Sequence, residues 1–190
     1  MRADSTNQAA HTWEDFLALG EDDLRELIDG VFLEIDVAGR THERIVAQLA
    51  SCLVAWVRGS GGEVLGSGYK VRISERRGVM PDLQYFVAKT ARTLPEEGLA
   101  QGRPDLAIEV VSPTSRRYDR VVKLVWYAKI GVPEYWIVDP EERSLERYLL
   151  QGEALVLVET AREDALFAPA TLAGLRIPLR ELWKPADASA

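Results

Sequence analysis

The chain has 190 residues, 47% of them apolar and 28% charged, which excludes a disordered or fibrous protein and leaves an ordinary globular one. That length can bury a core without disulfides or a structural metal, and the single cysteine, Cys52, cannot form an internal bridge. A formal net charge of −7 argues against a protein that coats nucleic acid indiscriminately.

In chain order, residues 1–12 are polar and small and are expected to be mobile, as is the tail 184–190. No stretch has the apolar run of a signal peptide or membrane span, so the expected location is the cytoplasm, with no membrane partner. Residues 13–183 are read as one domain. Thr12 caps a short helix that starts at Trp13. The Asp29-Gly30 turn leads into a strand with Val31, Leu33, Ile35 and Val37 on one face. Ile45, Leu49, Leu53 and Trp56 then recur at helical spacing over 41–58, and the Gly59-Ser60-Gly61-Gly62 cluster ends that helix. Cys52 falls among these apolar residues as a small buried thiol rather than a reactive one. Alternation predicts strands over 69–74, 80–88 and 105–111, with a polar loop around 95–98. A helix over 112–130, a strand over 134–138 and a hairpin over 145–158 follow. This order implies an α/β (α+β) fold: a mixed β-sheet flanked by helices, with a C-terminal β-hairpin.

Two strands carry carboxylates where apolar residues are the rule. In 105–111, Leu106, Ile108 and Val110 share one face, while Asp105 and Glu109 lie on the other. Asp82 breaks the preceding strand in the same way. A buried carboxylate needs a hydrogen bond, a cation or a metal. Carboxylates on neighbouring strands, roughly 4.5–5.5 Å apart at Cβ, can grip one hard divalent ion. Asp119, Lys123 and Tyr127 are spaced by four on the next helix and share a face. An ordinary surface salt bridge between Asp119 and Lys123 is the plainer reading of that pair. Arg116, Arg117 and Arg120 crowd the same helix's first turns, where positive charge opposes the helix dipole and points to an anionic partner. Between Ser67 and Ile130 there are 12 Lys and Arg against 7 Asp and Glu, a local surplus of +5, while the rest of the chain stands at −12. No dinucleotide loop, zincin helix or zinc-finger set is present in the sequence.

Met80-Pro81-Asp82-Leu83, the run Gly102-Arg103-Pro104-Asp105-Leu106-Ala107-Ile108-Glu109-Val110-Val111-Ser112-Pro113, then Asp119, Lys123, Tyr127 and Gly131 through Pro140 resemble the Uma2 family. That family is described as bacterial endonucleases with the restriction-endonuclease-like fold of the PD-(D/E)XK superfamily. The resemblance extends over nearly the whole chain and implies a Mg²⁺-dependent DNA endonuclease, with Mn²⁺ as a substitute ion. It implies Asp82 and Glu109 as catalytic metal ligands and Asp105 as a further ligand or orienting acid. The superfamily lysine normally lies two residues after the second acid, where this chain has Val111. In Uma2-like members it moves to the following helix, which makes Lys123 the third catalytic residue. Glu43, with His42 beside it, and Glu26 are candidates for the amino-terminal acid that often completes such sites. Asp119 and Tyr127 are further accessory candidates, and Arg116, Arg117 and Arg120 are candidate DNA contacts. Cutting both strands of a duplex would need two sites, as in a homodimer. The alternative is a nuclease-fold module that binds nucleic acid or protein without turnover.

Overall fold

The computed structural model describes residues 10–19, 23–34, 39–94 and 102–184. Residues 1–9 of the expected mobile end 1–12, residues 185–190 of the expected mobile tail 184–190, the strand continuation through Ile35 and Val37 and the loop at 95–98 lie outside the described residues.

Helix α1 (Trp13–Leu17) opens on the expected cap: the Thr12 side chain accepts from the Asp15 N–H, and the Asp15 carboxylate accepts from the Thr12 N–H in return. Residues 10–12 are themselves held, through the His11 N–H on the Gly30 carbonyl at 2.8 Å and the His11 ring stacked on Phe32. Strands β1 (Arg25–Ile28) and β2 (Val31–Glu34) form a hairpin through Asp29 and Gly30, both at positive φ, the geometry a two-residue turn of that twist demands. Helix α2 (Arg40–Val57) follows within a residue of the range its apolar spacing predicts. Strands β3 (Glu63–Gly66), β4 (Val71–Ser74), β5 (Arg77–Val79) and β6 (Leu83–Phe86) lead to a short helix α3 (Ala88–Ala91) and strand β7 (Leu106–Val110). A π-helix (Tyr118–Lys123) runs into helix α4 (Leu124–Lys129), where the sequence spacing predicts one continuous helix. Strands β8 (Glu134–Asp139), β9 (Ser144–Gln151) and β10 (Ala154–Arg162) come next, then the short strands β11 (Leu166–Phe167) and β12 (Ile177–Pro178) and helix α5 (Leu179–Trp183).

Six strands in the order β10-β9-β8-β7-β6-β3 make the main sheet, antiparallel except for the β7–β8 pair. Parallel neighbours need a crossover, and the π-helix with α4 supplies it. On one face α2 packs Ile45, Leu49 and Leu53 against Leu83, Leu106, Ile108, Val110, Trp136 and Val138. The other face presents Ala107, Tyr135 and Ile137 to Trp126 and Tyr127 of α4 and to Val71 and Val79 of a second sheet. That second sheet, ordered β2-β1-β5-β4, was only half legible in the sequence: β2 and β4 lie within expected strands, but β1 and β5 are only four and three residues long. It matters to the site because β1 carries Glu26 to the place where α4 covers the main sheet.

Candidate active site

The antiparallel register ends with Leu83 opposite Ile108, and Asp82, one residue before β6, reaches with its carboxylate to the Val110 N–H, next along β7 from Glu109. Two contacts fix the Asp82 carboxylate, both on Oδ2: the Val110 N–H at 2.7 Å and His42 Nε2 at 3.2 Å. His42 sits in the first turn of α2, and its other ring nitrogen lies 3.2 Å from the exposed Glu43. Burial works against an imidazolium at His42, but the Asp82 and Glu43 carboxylates outweigh it and hold the ring above its ordinary pKa.

Glu109 is buried to 3% exposure, and its Oε1 accepts from Lys123 Nζ at 2.9 Å and from the Tyr127 hydroxyl at 2.8 Å. Lys123 is equally enclosed at 5%, with Glu26 Oε1 at 3.2 Å and Asp119 Oδ1 at 3.4 Å. Glu26 also accepts the Met80 N–H at 3.0 Å, which ties β1 to the approach to β6. Burial pushes Glu109 well above the ordinary carboxylate range, Lys123 pulls it down, and Asp119, Asp82 and Glu26 push it up again. For Lys123 burial opposes the charge, but Glu109, Glu26 and Asp119 together keep the ammonium firmly protonated. Burial, then Glu109, holds the Tyr127 phenol protonated as a donor.

The donor set suits a hard cation. Three buried acids surround one ammonium, and Asp82 adds a fourth acid at the rim, so acids outnumber cations in the cluster. Among the described residues, no donor bonds Asp82 Oδ1 or Glu109 Oε2, so each acid keeps one oxygen free. Those residues hold no ready-made cage of three His, Cys, Asp or Glu side chains, and the Lys123 ammonium stands among the buried carboxylates.

Several expectations need correction. Asp119 and Lys123 form no surface pair: both are buried, and the pair belongs to the Glu26–Glu109 cluster. Asp105 shares the face of Glu109 but lies four residues away, roughly 13 Å along the strand. There its Oδ2 accepts the Val87 N–H and braces the start of α3, so Asp105 does not join the cluster. Among the described residues, Glu43 touches the site through His42 alone. Arg116 and Arg120 are not free cations. Arg116 pairs with Asp139 at 2.9 Å and Glu141 at 2.8 Å, and Arg120 pairs with Asp139 at 3.1 Å and with Glu146. Arg117 alone of the three is exposed and makes no ion pair among the described residues. Glu26, weighed only as an alternative to Glu43, is the residue that reaches Lys123. Its signal was the Asp29-Gly30 turn, which implies a strand on both sides and puts a carboxylate inside the earlier one.

The family model described as "Uma2: Putative restriction endonuclease" matches residues 13–180. Among solved structures, a protein of Anabaena variabilis ATCC 29413, described as "a putative nuclease belonging to DUF820", superposes with a TM-score of 0.72. The two are 21% identical, and the match covers 90% of this chain and 97% of that one, a likeness of fold. No match was found among curated proteins. No helix among the described residues is long and apolar enough to cross a membrane.

Proposed function

Because this chain belongs to the Uma2 family, we propose that it is a metal-dependent endonuclease that hydrolyses DNA phosphodiester bonds, with Mg²⁺ as the working ion and Mn²⁺ as a substitute. The observation that carries this reading is the gathering of Asp82, bonded to the Val110 N–H next to Glu109, and Glu109 itself, each with one unbonded oxygen, beside the Lys123 ammonium at 2.9 Å from Glu109. Asp82 and Glu109 are the residues that would hold the ion, with Asp105 removed by its position at the other end of β7. A divalent ion in such a place polarises the phosphate and makes water acidic enough to attack at neutral pH. The chain's own groups do the rest. The Val110 N–H and His42 fix the Asp82 carboxylate, and the Tyr127 hydroxyl fixes Glu109. Lys123 supplies a permanent positive charge to offset the charge that develops on the phosphate oxygens. Cleavage of both strands of a duplex calls for two such sites, so this reading expects a pair of chains.

The test is cleavage of supercoiled plasmid, single-stranded and branched DNA with Mg²⁺, Mn²⁺ or chelator, beside Asp82→Ala. Metal-dependent cleavage by the native chain and none by Asp82→Ala is the expected result. A folded native chain that cuts none of these substrates with either ion would refute the enzyme and leave a nuclease-fold binding module.

A further inference from the structure

The arginines at the head of the crossover helix have a use that needs no nucleic acid. Arg120 lies on the π-helix between Asp119 and Lys123, and its guanidinium reaches away from them to the end of the sheet. There Nη2 meets Asp139 Oδ2 at 3.1 Å, and Nη1 meets Glu146. Asp139 is fully buried at the end of β8, the strand paired with β7, and its other oxygen accepts from Arg116 and from the Glu141 and Glu142 N–H groups. Glu146 is braced in turn by the Tyr148 hydroxyl at 2.8 Å. A rigid, fully bonded acid on the strand next to Glu109 therefore grips the turn that carries Lys123.

The turn is of the rarer kind. A π-helix bonds i→i+5 where an α-helix bonds i→i+4, so each turn takes one more residue, and such turns persist only where the surroundings hold them. The widening swings residues 120 and 123 further apart around the axis than an α-turn would. Arg120 can then face Asp139 and Glu146 while Lys123 faces Glu109 and Glu26. Tyr135 adds a second hold, its hydroxyl donating to the Asp119 carbonyl at 3.2 Å.

We propose that Arg120 is a positioning residue: anchored on Asp139 and Glu146, it keeps 118–123 in the π turn that aims Lys123 at Glu109. This rests on the nuclease reading for its kinetic consequence but not for its structural one. Arg120→Gln, Lys123→Met and the double variant should be compared for cleavage and for amide hydrogen exchange over 118–123, with Arg120→Lys as the variant that keeps a cation should Gln unfold the chain. Arg120→Gln is expected to lower kcat on the order of 10²-fold at little changed KM, the scale of a small misplacement of a reacting group. The same change in the Lys123→Met background is expected to cost nothing further, because its only route to the chemistry is gone. Exchange over 118–123 should quicken in Arg120→Gln while α2 stays protected. Equal, additive losses in both backgrounds, or a loss expressed mainly in KM, would overturn the proposal and return Arg120 to substrate binding. Should the native chain cut nothing, the nuclease reading fails by itself, and unchanged exchange over 118–123 then overturns the positioning role.

Discussion

The burial of Lys123 changes what its removal should do. A surface lysine paired only with Asp119 would cost under about 1 kcal/mol on substitution. This one stands among Glu26, Glu109 and Asp119, all three buried. Lys123→Met strands those carboxylates without a cation, a change that costs roughly 3–5 kcal/mol in buried pairs. The loss should depend on pH with a definite sign. Glu109 already has its folded pKa raised well above the unfolded value, and losing the ammonium raises it further. A raised folded pKa gives stability below the unfolded pKa that is lost as pH rises through the folded one. Urea unfolding should therefore show the Met variant closest to the native chain near pH 4 and furthest from it above pH 7. Cleavage by the fraction that remains folded should fall on the order of 10²–10³, the usual effect of losing one group that stabilises developing charge. Full activity in folded Lys123→Met would remove this lysine from the chemistry, whatever its effect on stability.

At the scale of elements, the small β2-β1-β5-β4 sheet decides whether the cluster closes, because Glu26 hangs from β1. That sheet is clamped by α1, whose Trp13 and Phe16 pack with Leu27 and Met80. The clamp leaves no space at Gly78 in β5: a Cβ there would stand 2.5 Å from Phe16 and 2.8 Å from Trp13, both fully buried rings. Gly78→Ala should cost about 1–3 kcal/mol by overpacking and loosen β1. Melting temperature and Lys123-dependent cleavage should fall together, and an unchanged melt would show that α1 does not press on β5. The pressing of α1 on β5 was not legible in the sequence, since Arg77–Val79 offers one apolar side chain and no alternation to read. The main sheet was legible, because Leu106, Ile108 and Val110 turn one way and Glu109 the other, and β6 as an antiparallel neighbour of β7 followed from strand order. Periodicity gave the parity of Asp105 correctly but not which end of the strand forms the site. It also could not register the π turn, because Asp119, Lys123 and Tyr127 share a face in either helix and only the anchoring of Arg120 tells the two apart.

Over the whole molecule, the balance of +5 in the central segment against −12 elsewhere overstates the charge open to an anionic partner. Part of that positive charge is already paired within the protein. Lys123 is enclosed, Arg116 and Arg120 are neutralised by Asp139, Glu141 and Glu146, and Arg77 lies 2.5 Å from Asp29. Arg117, exposed at the head of the same helix, is the cation of that trio left to meet a phosphate. Binding to a short duplex should therefore draw its salt dependence from the exposed cations of the segment, Arg76, Lys89, Arg92, Arg103, Arg117 and Lys129, as far as each meets a phosphate. Arg117→Glu should lower the slope of log K against log salt by about 1, with the melting temperature unchanged. Arg116→Glu should act in the opposite pattern. It sets a third carboxylate against Asp139 and Glu141, so the melting temperature should drop while the salt slope of the folded fraction stays near that of the native chain. Fluorescence anisotropy between 50 and 200 mM salt, roughly the range over which such slopes are read, separates the two variants. Equal slopes for native and Arg117→Glu would place the phosphate track away from the head of this helix.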